Sequence, residues 1–282
     1  MLVNQTSKLQ TKLKKAVNKQ QKVGLVPTMG ALHSGHLALI GEAQKICEQV
    51  VVSIFVNPTQ FNNASDLEKY PRNLEQDLAQ IQSSYPNVIV FAPEVSEIYG
   101  KNVAAEEFDF GSITTFMEGE YRAGHFNGVG TIIKRLFNLV KPDFAFFGEK
   151  DFQQLRVIQK LVEITEQPVK VVGCATQREV NGLAKSSRNQ RLTEEQKEKA
   201  AIIYQALETA KNKFNQSSIA EIKTEIKGIF EAYPEFELEY FEIADVKHLV
   251  PTETKQTNTP YRAFIAAFVN EVRLIDNIAL NY

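Results

Sequence analysis

Apolar residues in this chain fall into short unbroken blocks, and between the blocks they recur every third or fourth position. The blocks at 23–27, 50–56, 88–91, 144–147 and 169–175 are continuous enough to predict strands buried on both faces of a parallel sheet. Between them Leu37, Ile40, Ala43 and Cys47, and later Val129, Ile133, Leu136 and Val140, keep helical spacing. This alternation runs to about residue 176 and predicts right-handed βαβ units: an α/β fold with a Rossmann-like parallel sheet and helices on both faces. The pattern then changes. Thr193-Glu194-Glu195-Gln196 reads as a capping box that opens a helix with Ala200, Ile203, Leu207, Ala210 and Phe214 on one side. Ile222, Ile226, Ile229 and Tyr233 mark a second helix, and period-two alternation over 236–243, with apolar runs at 261–269 and 272–275, predicts a small sheet. The expected organisation is one domain over 1–176 and a smaller C-terminal α+β domain over 177–282 acting as a lid.

Composition narrows the function classes. With 282 residues, 43% of them hydrophobic, the chain is long enough for two cores, and a formal net charge of −2 leaves no electrostatic footprint for nucleic acid. The first twenty residues are basic and helix-like without the apolar stretch of a secretory signal, and no apolar run approaches membrane length. A cytoplasmic protein with no membrane partner is expected. The two cysteines, Cys47 and Cys174, cannot build a disulfide framework and read as reduced core residues.

Candidate chemistry sits where predicted strands end. The block at 23–27 runs into Thr28-Met29-Gly30-Ala31-Leu32-His33-Ser34-Gly35-His36, after which a helix begins. That order places free backbone N–H groups and the positive end of a helix dipole at a sheet edge, where a polyphosphate can be held. His33 and His36, at i and i+3, fall close together and can donate to phosphate oxygens. The block at 50–56 delivers Asn57 and Gln60, amides suited to hydroxyl and carboxylate groups. Phe147 is followed by Gly148-Glu149-Lys150-Asp151-Phe152-Gln153-Gln154, and the last strand by the polar stretch Gly182-Leu183-Ala184-Lys185-Ser186-Ser187-Arg188-Asn189, a composition that suits a phosphate clamp. His248 reads as a surface residue, and His125 as either a pocket or a packing residue; the four histidines have no zinc-ligand spacing beyond the first pair.

Read together, PTMGALHSGH, FVNPTQF, YPR at Tyr70 to Arg72, RAGHFNGV, FGEKDFQQL, GLAKSSRN and the terminal LIDNIAL resemble the pantoate–β-alanine ligase family of the HIGH-motif nucleotidyltransferase superfamily, over nearly the whole chain. The resemblance implies an ATP-dependent condensation of pantoate with β-alanine through a pantoyl adenylate, with ATP as co-substrate, Mg²⁺, and a homodimer. It places Met29, Gly30, Ala31, Leu32, His33, Ser34, Gly35 and His36 on ATP, with His36 as general acid, and Gly148, Glu149, Lys150 and Asp151 on a second nucleotide-binding turn. Gln177, Lys185, Ser186, Ser187 and Arg188 match a further ATP-binding loop. Lys185, where related sequences usually carry Leu or Met, is expected to point to solvent. Gln60, Gln154 and Asn57 match the pantoate lining, Glu118 and Arg122 the β-alanine approach and phosphates, and Asp77 an acidic position linked to Mg²⁺. His33, His36, Lys150 and Arg188 are the expected catalytic set. Two other readings compete. One is another nucleotidyltransferase of the same superfamily, against which Gln60 and Gln154 speak because a phosphorylated acceptor calls for cations; the other is a nucleotide-binding regulatory module without turnover.

Overall fold

A strand of unbroken apolar residues is stable only if both faces are covered, and that is how this sheet is built. The computed structural model describes residues 1–281. Its six parallel strands are β1 (Leu2–Val3), β2 (Val23–Thr28), β3 (Gln49–Ile54), β4 (Ile89–Phe91), β5 (Phe144–Gly148) and β6 (Lys170–Cys174), in the order β1-β4-β3-β2-β5-β6. Leu25 and Val26 of β2 are completely buried. On one side Val26, Val52, Val90 and Phe146 pack with Ile40 and Ala43 of the helix Ser34–Ile46 and Ile81 of the helix Leu74–Ser84. The five strands expected from the apolar blocks are present. β1 adds to them, because two residues are too short to show a period; it pairs Leu2 with Val90 and Val3 with Phe91.

β2 has β3 on one side, paired from Val23↔Gln49 to Thr28↔Ile54, and β5 on the other, through Gly24↔Phe144 and Leu25↔Ala145. The chain therefore reverses its direction of strand addition at β2, and at such a point the loops leaving neighbouring strands diverge into a crevice.

The chain divides into two compact units, the first comprising Met1–Phe110, Arg122–Glu149 and Gln154–Ala175, the second Gly111–Tyr121, Lys150–Gln153 and Thr176 onward. In the second unit β7 (Phe236–Asp245), β8 (Tyr261–Val269) and β9 (Val272–Ala279) form an antiparallel sheet in that order. Its core joins Ile243, Ile265 and Leu274 to Leu207 and Ala210 of the helix Ala201–Lys213 and to Ile222 and Ile226 of the helix Ile219–Glu231. Three details differ from the periodicity. Tyr233 lies past the end of its helix and is 39% exposed. The register of β7 against β8 shifts between Leu238 and Tyr240, so Glu239 is an extra residue in the ladder. β9 runs four residues beyond 275, through the buried polar residues Asp276 and Asn277.

Candidate active site

Where β2 ends, the Thr28 hydroxyl donates to the Ser53 carbonyl at 2.8 Å and accepts from the Gly30 N–H at 3.3 Å, turning the chain. Gly30 has φ +79°, and a Cβ there would lie 3.0 Å from an Asp77 oxygen. His33 is the N-cap of the helix Ser34–Ile46, and the two histidines complete a reciprocal capping box: Nδ1 of His33 accepts from the Gly35 N–H at 3.1 Å, and Nδ1 of His36 accepts from the His33 N–H at 3.4 Å. An Nδ1 that accepts carries no proton, so both rings are held as Nε2–H tautomers, centroids 4.0 Å apart. The fold thus presents two N–H donors side by side at a helix N-terminus.

Asp77 is 2% exposed, and its carboxylate accepts from the Ala31 N–H at 2.9 Å and the Leu32 N–H at 2.7 Å. Burial raises its pKa and those two donors hold it back. Its carboxylate thereby fixes the histidine turn. No group of three or more His, Cys, Asp or Glu that could hold a metal ion occurs among the described residues.

The amide site is ordered from beneath. Asn57, 1% exposed, donates to Gln60 Oε1 at 3.2 Å and the Gly128 carbonyl at 3.1 Å, and accepts from Thr59 Oγ1 at 3.1 Å and the Tyr99 hydroxyl at 2.5 Å. Asn57, with every amide atom spent, therefore orients the Gln60 side chain. Among the described residues Gln60 Nε2 faces only the weak acceptor Met29 Sδ, at 3.1 Å, so a carboxylate or hydroxyl oxygen would be a better partner for it. His125 Nε2 lies 3.0 Å from Arg122 Nη1, which can only donate, so its Nδ1–H donates to the Gln60 carbonyl at 2.8 Å. His125 is thus a packing residue that links Arg122 to Gln60. Gln154 is half-buried at the start of the helix Phe152–Ile164.

In the second unit Lys150 Nζ pairs with Asp151 at 3.1 Å. Residues 177–185 form a hairpin, with Lys185 N–H donating to the Gln177 carbonyl and Glu179 N–H to the Leu183 carbonyl at 2.9 and 2.8 Å. Lys185 pairs with Glu179 at 2.7 Å instead of standing in solvent, and Gln177 is exposed. The hairpin leads directly into Ser186, whose hydroxyl caps the Arg188 N–H at 3.3 Å, and the one-turn helix Ser187–Arg191. Lys150, Ser186, Asn189 and Asp276 line one cavity with Leu183 and Leu274, and the Asn189 Oδ1 in its wall has no hydrogen-bond partner among the described residues. Glu118 does not belong to this set. It is 6% exposed, with its carboxylate on Arg273 at 2.6 and 2.9 Å and on the Tyr240 hydroxyl at 2.8 Å.

A model of the pantoate–β-alanine ligase family matches residues 1–279. The chain belongs to that family. A pantothenate synthetase of Christiangramia forsetii is 50% identical over 269 residues, covering 95% of each chain. The pantothenate synthetase structure from Thermus thermophilus superposes with a TM-score of 0.90 at 40% identity over 99% of both chains. The pantoate–β-alanine ligase of Francisella tularensis, complexed with β-γ ATP and β-alanine, has a TM-score of 0.82 at 36% identity over 100% of this chain and 98% of that one. Against this family background the motif residues are legible in the sequence, whereas Tyr99, Gly128, Arg178 and Asn277 escape it. Each of these acts through a backbone atom or a partner far away in sequence, which no local pattern reveals.

Proposed function

We propose that this pantoate–β-alanine ligase family member condenses pantoate with β-alanine at the expense of ATP, through a pantoyl adenylate. The observation that carries the reading is the pair of Nε2–H donors fixed by the capping box at a helix N-terminus. A pantoate carboxylate oxygen bonds to the α-phosphorus, the bond from that phosphorus to the bridging oxygen breaks, and pyrophosphate leaves with the electron pair. His33 and His36 meet the negative charge that grows on the phosphates, as preorganised donors do. Lys150 and Arg188 supply cations for the same polyphosphate, Ser186 and Ser187 hydroxyls, and Gln60 and Gln154 amides for pantoate. The β-alanine amine then attacks the acyl carbon, loses a proton, and AMP departs with its C–O bond electrons. No protein nucleophile is needed, so catalysis rests on positioning and charge. Mg²⁺ is proposed to arrive on the ATP phosphates, as is usual for this ion.

The test is to incubate the protein with ATP and pantoate alone. Pyrophosphate and a bound acyl adenylate should form, and ¹⁸O from the pantoate carboxylate should appear in AMP once β-alanine is added. ADP and inorganic phosphate as stoichiometric products would overturn the adenylate route. A homodimer and a cytoplasmic location are proposed from the family resemblance alone, to be checked by light scattering and cell fractionation; among the described residues no helix is long and apolar enough to cross a membrane.

A further inference from the structure

The LIDNIAL segment carries no chemistry of its own, yet it places two polar residues in the interior of β9, each 4% exposed. Asn277 has both ends of its amide specified. Its Oδ1 accepts from Arg262, whose guanidinium stacks 3.9 Å from the Phe152 ring centroid, and its Nδ2 donates to the Lys150 carbonyl at 2.7 Å. Arginine can only donate and a carbonyl can only accept, so the amide has one orientation and no aspartate or apolar residue can replace it. Asp276 takes Arg178 in a two-pronged pair at 2.5 and 3.1 Å. Arg178 also donates to the Gly182 carbonyl at 3.1 Å and stacks on Tyr204 at 3.9 Å, which clamps the 177–185 hairpin from its base to its tip. Gly182, with φ +94°, leaves no room for a side chain, since a Cβ would lie 2.3 Å from Tyr204.

Such a buried polar pair is weak as a stability device, because apolar residues of similar volume would hold the sheet at least as well. What it does that apolar residues cannot is grip two separate loops. We propose that Asp276 and Asn277 are positioning residues that tie the Lys150 turn and the Ser186–Ser187–Arg188 loop to one strand, setting the spacing of the two cations that meet the ATP phosphates. The inference rests on the function proposed above and deepens it: β9 is the gauge of the phosphate clamp. That accounts for a common cavity lined by Lys150, Ser186 and Asp276.

The test uses the full chain with Asn277→Asp, which keeps the shape and the acceptor toward Arg262 but sets a carboxylate against the Lys150 carbonyl. The buried hydrogen bond lost in this way, with a carboxylate oxygen set against a carbonyl in its place, predicts a fall of about 10- to 100-fold in single-turnover pyrophosphate release from ATP and pantoate. Aminolysis of supplied pantoyl adenylate by β-alanine should stay within about twofold of wild type, because the clamp acts only on the first half-reaction. This second measurement also guards against misfolding, which would lower both halves equally and overturn the proposal. In a Lys150→Ala background, Asn277→Asp should slow pyrophosphate release no further; additive losses would show that Asn277 does not act through Lys150. ATP affinity, read by calorimetry without any turnover, should weaken about tenfold in the single variant. That readout separates the two ideas. A wild-type protein that binds ATP but releases no pyrophosphate would overturn the proposed function, whereas unchanged ATP affinity in Asn277→Asp would overturn the role of β9.

Discussion

His33 and His36 each have a structural task at Nδ1 and, in the proposed reaction, a chemical one at Nε2, and substitution can part the two. In His33→Asn the new side chain still accepts at an N-cap, and in His36→Gln it still reaches back to the cap from N3. Both variants are therefore expected to keep the helix Ser34–Ile46 and melt within a few degrees of wild type, while pyrophosphate release falls about 10²- to 10³-fold for the loss of one preorganised donor. His33→Ala should lose the donor and about 1 kcal/mol of capping besides. Stopped-flow pyrophosphate detection beside thermal melts decides it, and near wild-type bursts in His33→Asn and His36→Gln would return both rings to a purely structural role. The pair is legible because a strand, a glycine turn and two imidazoles lie within fourteen residues, Val23 to His36. The task of Asp77 is not legible in this way, because the backbone N–H that its carboxylate accepts from lies forty-five residues away and no local pattern announces it.

Among the elements, the helix His125–Val140 and the turn that carries Gln60 are joined by a contact that leaves no space for a methyl group. A Cβ on Gly128 would stand 2.2 Å from the Thr59 carbonyl oxygen and 2.6 Å from the Gln60 Cα. Gly128→Ala must push the turn away, break the Asn57 bond to the Gly128 carbonyl and displace Gln60. The expected result is a loss of about 1 to 3 kcal/mol by denaturant titration, typical of overpacking, with a KM for pantoate raised more than that for ATP. Equal changes in both constants would contradict it. Strands are readable wherever apolar residues run without a break. β9 outruns its predicted end because Asp276 and Asn277 are buried yet polar, and burial of that kind is set by Arg178, Arg262 and Lys150, none of them near in sequence. The Glu239 bulge escapes the pattern for a similar reason, its carboxylate being drawn to Arg273 at 2.9 Å against the alternation of the strand.

For the molecule as a whole, Cys47 and Cys174 add an alkaline sensitivity. Both are free and buried, and burial pushes each thiol up to about 11 from 9.0. A thiol whose folded value lies above its unfolded one keeps its proton in the native state while the unfolded chain releases it. The stability it contributes is therefore complete below the unfolded value of 9.0 and is lost as pH rises toward about 11. Melting temperatures across that window should fall more steeply for wild type than for a Cys47→Ala/Cys174→Ala variant, and parallel profiles would refute the assignment. The sheet has a consequence of another kind, for the order in which the chain is made. Synthesis supplies β2 and β3 early, but the second neighbour of β2 is β5, which begins only at Phe144. Closing so long a loop is slow, and pairing between distant segments lags behind local structure. Until Phe144 and Ala145 emerge from the ribosome, the strand that leads into the histidine turn is an unpaired apolar edge, and the nascent chain must be shielded from pairing with its neighbours.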